Sequence, residues 1–139
     1  MTEGIGLVRM SHLCLSSTNL DACEAFYINL VGGKLVFEFR NESGDRYGIF
    51  ISLGEGTFLE IFLSDKEVIS SELCRFRHFC LQVQDINCAV KHFMDAGYSP
   101  QVTIGKVDQV PQFWVEDPNG IKIEFHELSN PNLPQFRYC

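Results

Sequence analysis

The chain carries an internal repeat, and that repeat limits what it can fold into. "SHLCLSSTNLDACEAFYINLVGG" begins at residue 11, and "RHFCLQVQDINCAVKHFMDAGYS" begins at residue 77. His12 aligns with His78, Cys14 with Cys80, Leu15 with Leu81, Leu20 with Ile86 and Tyr27 with Phe93. The halves also end alike: "GTFLEIF" from Gly56 matches "GIKIEFH" from Gly120, placing Glu60 over Glu124. The 139-residue length leaves each copy too few residues to cover both faces of its own sheet. The expected organisation is therefore one domain over 1–139, with module one at about 8–63, module two at about 75–128 and a tail at 129–139.

Local patterning gives the same unit twice. Residues 8–15 read as a strand, and Thr18 with Asp21 resembles a capping box. Leu20, Cys23, Phe26, Tyr27 and Leu30 then recur at helical spacing, and Gly32-Gly33 ends the helix. Strands are expected at 35–39, 47–53 and 57–63, with a turn at 41–45 and a polar linker at 64–72. In the second half, 75–83 reads as a strand and Asp85 caps a helix bearing Ile86, Ala89, Val90, Phe93 and Met94. Gly97 ends that helix. Strands at 111–116 and 121–128 flank the turn "DPNG". The fold class is α+β, two β-α-β-β-β modules.

Composition excludes several classes of partner. A formal net charge of −7 argues against nucleic acid and against an anionic membrane surface. No apolar run reaches membrane-spanning length and no signal-peptide pattern opens the chain, so a cytoplasmic protein is expected. The six cysteines form no C-x-x-C pair. They read as reduced thiols, mostly small core fillers.

The chemistry lies in four residues. His12 and His78 sit in the first strand of each half, and Glu60 and Glu124 in the last, all among apolar neighbours. A carboxylate buried in a strand costs several kcal/mol unless it is paired or coordinated. A lone strand histidine is usually a core residue, and a lone strand glutamate usually faces water. Two of each at equivalent repeat positions can instead converge on a pseudo-two-fold axis. Two imidazoles and two carboxylates suit a single divalent ion, Ni, Zn, Co, Fe or Mn. Cys14 and Ser16, Cys80 and Gln82, Phe58 and Phe62, and Lys122 and His126 share the ligand faces as candidate substrate walls. Phe113 and Trp114 read as core packing or an aromatic wall, and His92 as exposed.

The paired modules, the His-x-x-x-x-[VS] start of each, and "WVEDPNGIKIEF" resemble the vicinal oxygen chelate superfamily over residues 8–128. That group includes glyoxalase I, extradiol dioxygenases, methylmalonyl-CoA epimerase and the fosfomycin- and bleomycin-resistance proteins. The resemblance implies an incomplete mixed β-barrel around a metal cleft, commonly in a homodimer, and a small-molecule substrate. The set His12, Glu60, His78 and Glu124 looks most like short bacterial glyoxalase I, a lyase or isomerase acting through an enediolate. It implies metal binding by all four and a catalytic base at Glu124, with Glu60 as the alternative base. Ser16 and Ser64 stand where glyoxalase I has a glutathione-contacting arginine and asparagine, and Lys106 lies near a family lysine. These three, with Gln82 and His126, are the candidate substrate-binding residues. The substitutions at 16 and 64 point to a small carbonyl or 2-hydroxy-carbonyl substrate other than a glutathione adduct. The other readings are a three-ligand dioxygenase-like or thiol-transferase-like enzyme, and a non-catalytic metal-containing ligand-binding protein.

Overall fold

The structure is a computed structural model that describes residues 4–66 and 75–133. The chain divides into two compact units, Met1–Val68 and Ile69–Cys139. Each contains a four-stranded mixed sheet, and the fold is α+β.

In the first unit the order is β1 (His12–Ser17), α1 (Leu20–Glu24), a π-helix (Ala25–Leu30), β2 (Lys34–Arg40), β3 (Arg46–Gly54) and β4 (Thr57–Leu63). The sheet runs β1-β4-β3-β2. β1 pairs with β4 in parallel, and the other pairs are antiparallel. Leu15, Ile49, Ile51, Leu59 and Ile61 are buried on one face, together with Leu20, Cys23, Phe26 and Tyr27 of the helical segment. Full burial of each large aliphatic side chain contributes about 2 kcal/mol.

Two local expectations change here. The helix cap is Asn19, whose side chain accepts from the Ala22 amide at 2.9 Å; Thr18 does not fill that role. Moving the cap one residue inward places the free amide of the third helical residue over the Asn19 carbonyl. The second half of the helix is π-helical, and the Val31 amide bonds to the Phe26 carbonyl at 2.8 Å. Gly32 then ends it at φ +92 as expected.

The second unit runs β5 (Phe79–Gln82), α2 (Ile86–Asp95), β6 (Thr103–Ile104), β7 (Pro111–Glu116) and β8 (Lys122–His126), with sheet order β5-β8-β7-β6. Pairing is again parallel for β5 with β8 and antiparallel elsewhere. The Asp85 carboxylate accepts from the Asn87 and Cys88 amides, the expected N-cap. Gly97 follows the helix at φ +94. Ile86, Phe93, Phe113, Val115, Ile123 and Phe125 form the core.

Strands β1 and β5 are shorter than their alternating patterns. β1 starts at His12, not at residue 8, and β5 at Phe79, not at residue 75. Their partners β4 and β8 begin at Thr57 and Lys122, so earlier residues meet no parallel neighbour there. Most of the linker, residues 67–72, and tail residues 134–139 lie outside the described residues. No described helix is long and apolar enough to cross a membrane.

Candidate functional site

Strand alternation leaves each sheet one face opposite its buried core. On the first sheet, that face is laid out in rows across the strands. Cys14, Glu60, Phe50 and Phe37 form one row, and Ser16, Phe62, Gly48 and Phe39 the next. His12 lies opposite Phe58, two residues from Glu60 on the same face. Around Glu60 the face is aromatic. Phe50 stacks on Phe37 at 4.8 Å and on Phe58 at 5.1 Å between ring centres. Phe39 and Phe62 meet at 4.8 Å over Gly48. A β-carbon at Gly48 would lie 2.7 Å from the Phe62 ring and 2.9 Å from the Phe39 ring, so glycine makes that meeting possible. The His12 ring stands edge-on to Phe50 at 6.2 Å.

The second sheet repeats the layout with different chemistry. Cys80, Glu124 and Trp114 form one row, and Gln82, His126, Gln112 and Thr103 the next. His78 immediately precedes β5. Where the first sheet has Phe50 and Phe62 the second has Trp114 and His126, so this face is the more polar one. Trp114 is exposed and stands edge-on to His78 at 4.6 Å, whereas Phe113 is in the core. The two readings of "FW" thus divide between adjacent residues, as alternation requires.

Within the second unit, His78 and Glu124 come together: His78 Nε2 is 3.2 Å from a Glu124 carboxylate oxygen. Within the first, the partner of Glu60 is Cys14. Burial raises the Cys14 thiol above its ordinary range, and so do its hydrogen bond to Glu60 and the charge there. Cys80 is pushed up further, to about 12, by partial burial of its thiol and then by the charges of Glu124 and Asp108.

The remaining candidates are spread over both units. Ser16 is exposed on β1. Ser64 follows β4, where its amide donates to the Ser17 carbonyl at 2.8 Å. Gln82 ends β5 and His126 ends β8, opposite each other in register. Lys106 lies in the loop between β6 and β7, away from these strands in sequence, and is exposed. His92 is exposed on α2.

The expectation of cysteines as core fillers needs correction. Of the four described, Cys23 alone is buried, while Cys14, Cys80 and Cys88 are exposed; all four are free thiols. Cys14 and Cys80 follow the two histidines by two positions and so emerge on the site face with them. Among the described residues, one group of three metal-capable side chains clusters tightly: Cys80, Glu124 and His126. The repeat aligned Cys80 with Cys14 and Glu124 with Glu60, but the pairing of Cys80 with Glu124 appears only in the strand register.

The Glyoxalase/Bleomycin resistance protein/Dioxygenase superfamily matches residues 9–125. The chain belongs to this superfamily. The uncharacterized protein YaeR of Escherichia coli (strain K12) is 26% identical over 129 residues, 88% of this chain and 98% of that protein. A glyoxalase family protein from Enterococcus faecalis has the same fold. Its TM-score is 0.72 at 23% identity, covering 86% of this chain and 97% of that one. Lactoylglutathione lyase from Agrobacterium tumefaciens also shares the fold, with a TM-score of 0.66 at 19% identity over 88% and 95% of the two chains. Enzymes thus occur on this fold, and superfamily members typically bind a divalent metal.

Proposed function

We propose that this chain is a metal-dependent lyase or isomerase of the glyoxalase I type. Its substrate is a small carbonyl or 2-hydroxy-carbonyl compound. The observation that carries the reading is the duplicated register. The first unit opens its first strand with His12, the second sets His78 immediately before its own, and in each the adjoining parallel strand carries a glutamate, Glu60 or Glu124, opposite a cysteine. The donor set fits a divalent ion such as nickel, zinc, cobalt, iron or manganese. His78 Nε2 already stands 3.2 Å from Glu124, a spacing suited to two groups that share a cation. We assign His12, Glu60, His78 and Glu124 as the ligands. Held there, the ion would supply Lewis-acid polarisation of the substrate carbonyl.

The chain's own groups do the rest. Glu124 takes the proton from the carbon next to the carbonyl and returns it to the adjacent carbon, with Glu60 as the alternative base. Phe37, Phe50 and Phe58 offer an apolar wall beside Glu60 for the substrate's carbon skeleton. Ser16, Ser64, Gln82, Lys106 and His126 bind its polar atoms. The protein works in the cytoplasm as a homodimer.

The test combines metal analysis with proton exchange. Protein purified without chelators carries one divalent ion per chain and exchanges the substrate's α-proton in deuterium oxide with a 2-oxoaldehyde adduct. Glu124→Gln lowers kcat by about 10²–10⁴. Oxygen uptake on catechols with bound iron would move the assignment to the dioxygenase-like reading. Lack of a stoichiometric metal would remove the enzymatic reading.

A further inference from the structure

The open face of the second sheet holds more ligand chemistry than the duplicated histidines and glutamates require. Cys80, Glu124 and His126 each direct one ligand atom to within 4.8 Å of the other two. Their backbones are fixed by pairing: Cys80 stands opposite Glu124 across β5 and β8, and His126 is two residues along β8 on the same face. A further nitrogen, His78 Nε2, lies beside the same carboxylate at 3.2 Å. The equivalent positions of the first unit are Cys14, Glu60 and Phe62, which supply no second imidazole. The repeat therefore duplicates the thiol–carboxylate pair but completes a ligand triad in one unit only.

We propose that the second unit binds a thiophilic divalent metal ion by itself, through Cys80 Sγ, the Glu124 carboxylate and a ring nitrogen of His126. Ligand bonds of 2.0–2.3 Å in a tetrahedral zinc site place ligand atoms about 3.5 Å apart. The three ligand atoms, all within 4.8 Å of one another, stand no more than about 1.3 Å beyond that spacing. Three protein ligands leave a fourth position open, for His78 or for an exogenous oxygen. Binding exchanges the thiol proton for the ion: the S–H bond breaks, a sulfur–metal bond forms and one proton is released to solvent. Sulfur in the set favours zinc, cobalt or cadmium over manganese and magnesium. The proposal shares Glu124 with the glyoxalase-type reading and turns His126 from a substrate contact into a ligand, but it needs neither His12 nor Glu60.

The test is a titration of the reduced, metal-free full chain with cobalt(II), read in the near-ultraviolet and the visible. A thiolate-to-cobalt charge-transfer band that saturates at one equivalent is expected. It persists in the double variant His12→Ala/Glu60→Gln and disappears in Cys80→Ser, with the far-ultraviolet dichroism of each variant unchanged. His126→Ala weakens cobalt binding tenfold or more. Cobalt bound with visible bands but no thiolate band would overturn the proposal and leave the four-ligand site standing. A band that survives Cys80→Ser, or that vanishes in the double variant, would overturn it as well. Lack of stoichiometric binding would overturn both readings. Should Cys80→Ser unfold, alkylation of the unmodified protein decides: zinc protects Cys80, located by mass spectrometry, or it does not and the proposal fails.

Discussion

Cys80 stands directly opposite Glu124 in the register of β5 and β8, as Cys14 stands opposite Glu60 in that of β1 and β4. A thiol facing a carboxylate is held in its protonated form, because ionisation would set two negative charges side by side. With its pKa pushed up to about 12, by burial first and then by the charges of Glu124 and Asp108, Cys80 has almost no thiolate at pH 8.5. In metal-free protein its thiolate fraction there should make alkylation about a thousandfold slower than that of an unperturbed cysteine peptide. Glu124→Gln removes one of the charges that raise it, so the rate should climb several-fold while burial keeps it below the peptide's. Peptide-resolved labelling with iodoacetamide measures both rates, and equal rates in the two proteins would show that Glu124 does not act on the thiol.

Arg46 fastens the helical segment of the first unit to its sheet. Its guanidinium donates to Glu24 at 2.8 Å and to Glu38 at 3.1 Å, and it also pairs with Asp21. Arg46→Met should cost about 1 kcal/mol, less in high salt, where such pairs are screened. The Arg40 and Arg46 guanidiniums hold the Glu38 carboxyl below its usual range. A depressed carboxyl stabilises the fold above its unfolded-state pKa and loses that contribution as pH falls through the folded one. The variant should therefore begin to unfold at a higher pH than the parent in an acid titration followed by circular dichroism.

The strands that sequence located best are those bounded by turns: β4 at 57–63 and β7 at 111–116 coincide with their apolar alternation. There, glycine-rich or "DPNG" turns fix one end or the other. β1 and β5 were overextended, because alternation marks which residues could pair while the partner strand decides which do. The two-residue β6 was missed, since Thr103 and Ile104 are too few to show a period. The π-helical turn left no sequence trace either: Phe26, Tyr27 and Leu30 fit an ordinary helical stripe as well. The repeat let the sequence name Glu60 and Glu124, which stand at matched register positions opposite Cys14 and Cys80, and His12 and His78, which stand at and just before the first strand of each unit. The Cys80, Glu124 and His126 cluster depends instead on a cross-strand neighbour that no linear spacing reveals.

Gly33 marks where the helical segment turns into β2, and its lack of a side chain is structural. A β-carbon there would lie 2.8 Å from the Tyr27 carbonyl oxygen and 2.8 Å from the Ile51 side chain. Its amide also donates to that carbonyl at 2.8 Å, so the backbone cannot withdraw without breaking the bond. Gly33→Ala should destabilise by about 2 kcal/mol through overpacking. Gly44→Ala is the comparison: nothing lies near its β-carbon position, but φ is +84, and the cost should be nearer 1 kcal/mol. Denaturant midpoints at constant slope would rank the two, and the reverse order would mean that the Gly33 contact relaxes.

Trp114 is the protein's one tryptophan, and its ring centre is 4.6 Å from that of His78. It shares a row with Glu124 and Cys80, so an ion held at Glu124 sits within contact range of the indole. Nickel(II) or cobalt(II) should quench its emission as the site fills, reaching a plateau at one equivalent. Glu124→Gln removes a ligand common to both proposed sets, and its quenching midpoint should move up tenfold or more. His12→Ala should shift the midpoint only if the first unit contributes to the same ion. Fluorescence titration of the three proteins therefore separates an ion held by the second unit alone from one held by all four histidine and glutamate ligands. Unchanged emission at full metal occupancy would place the ion away from Glu124 and count against both.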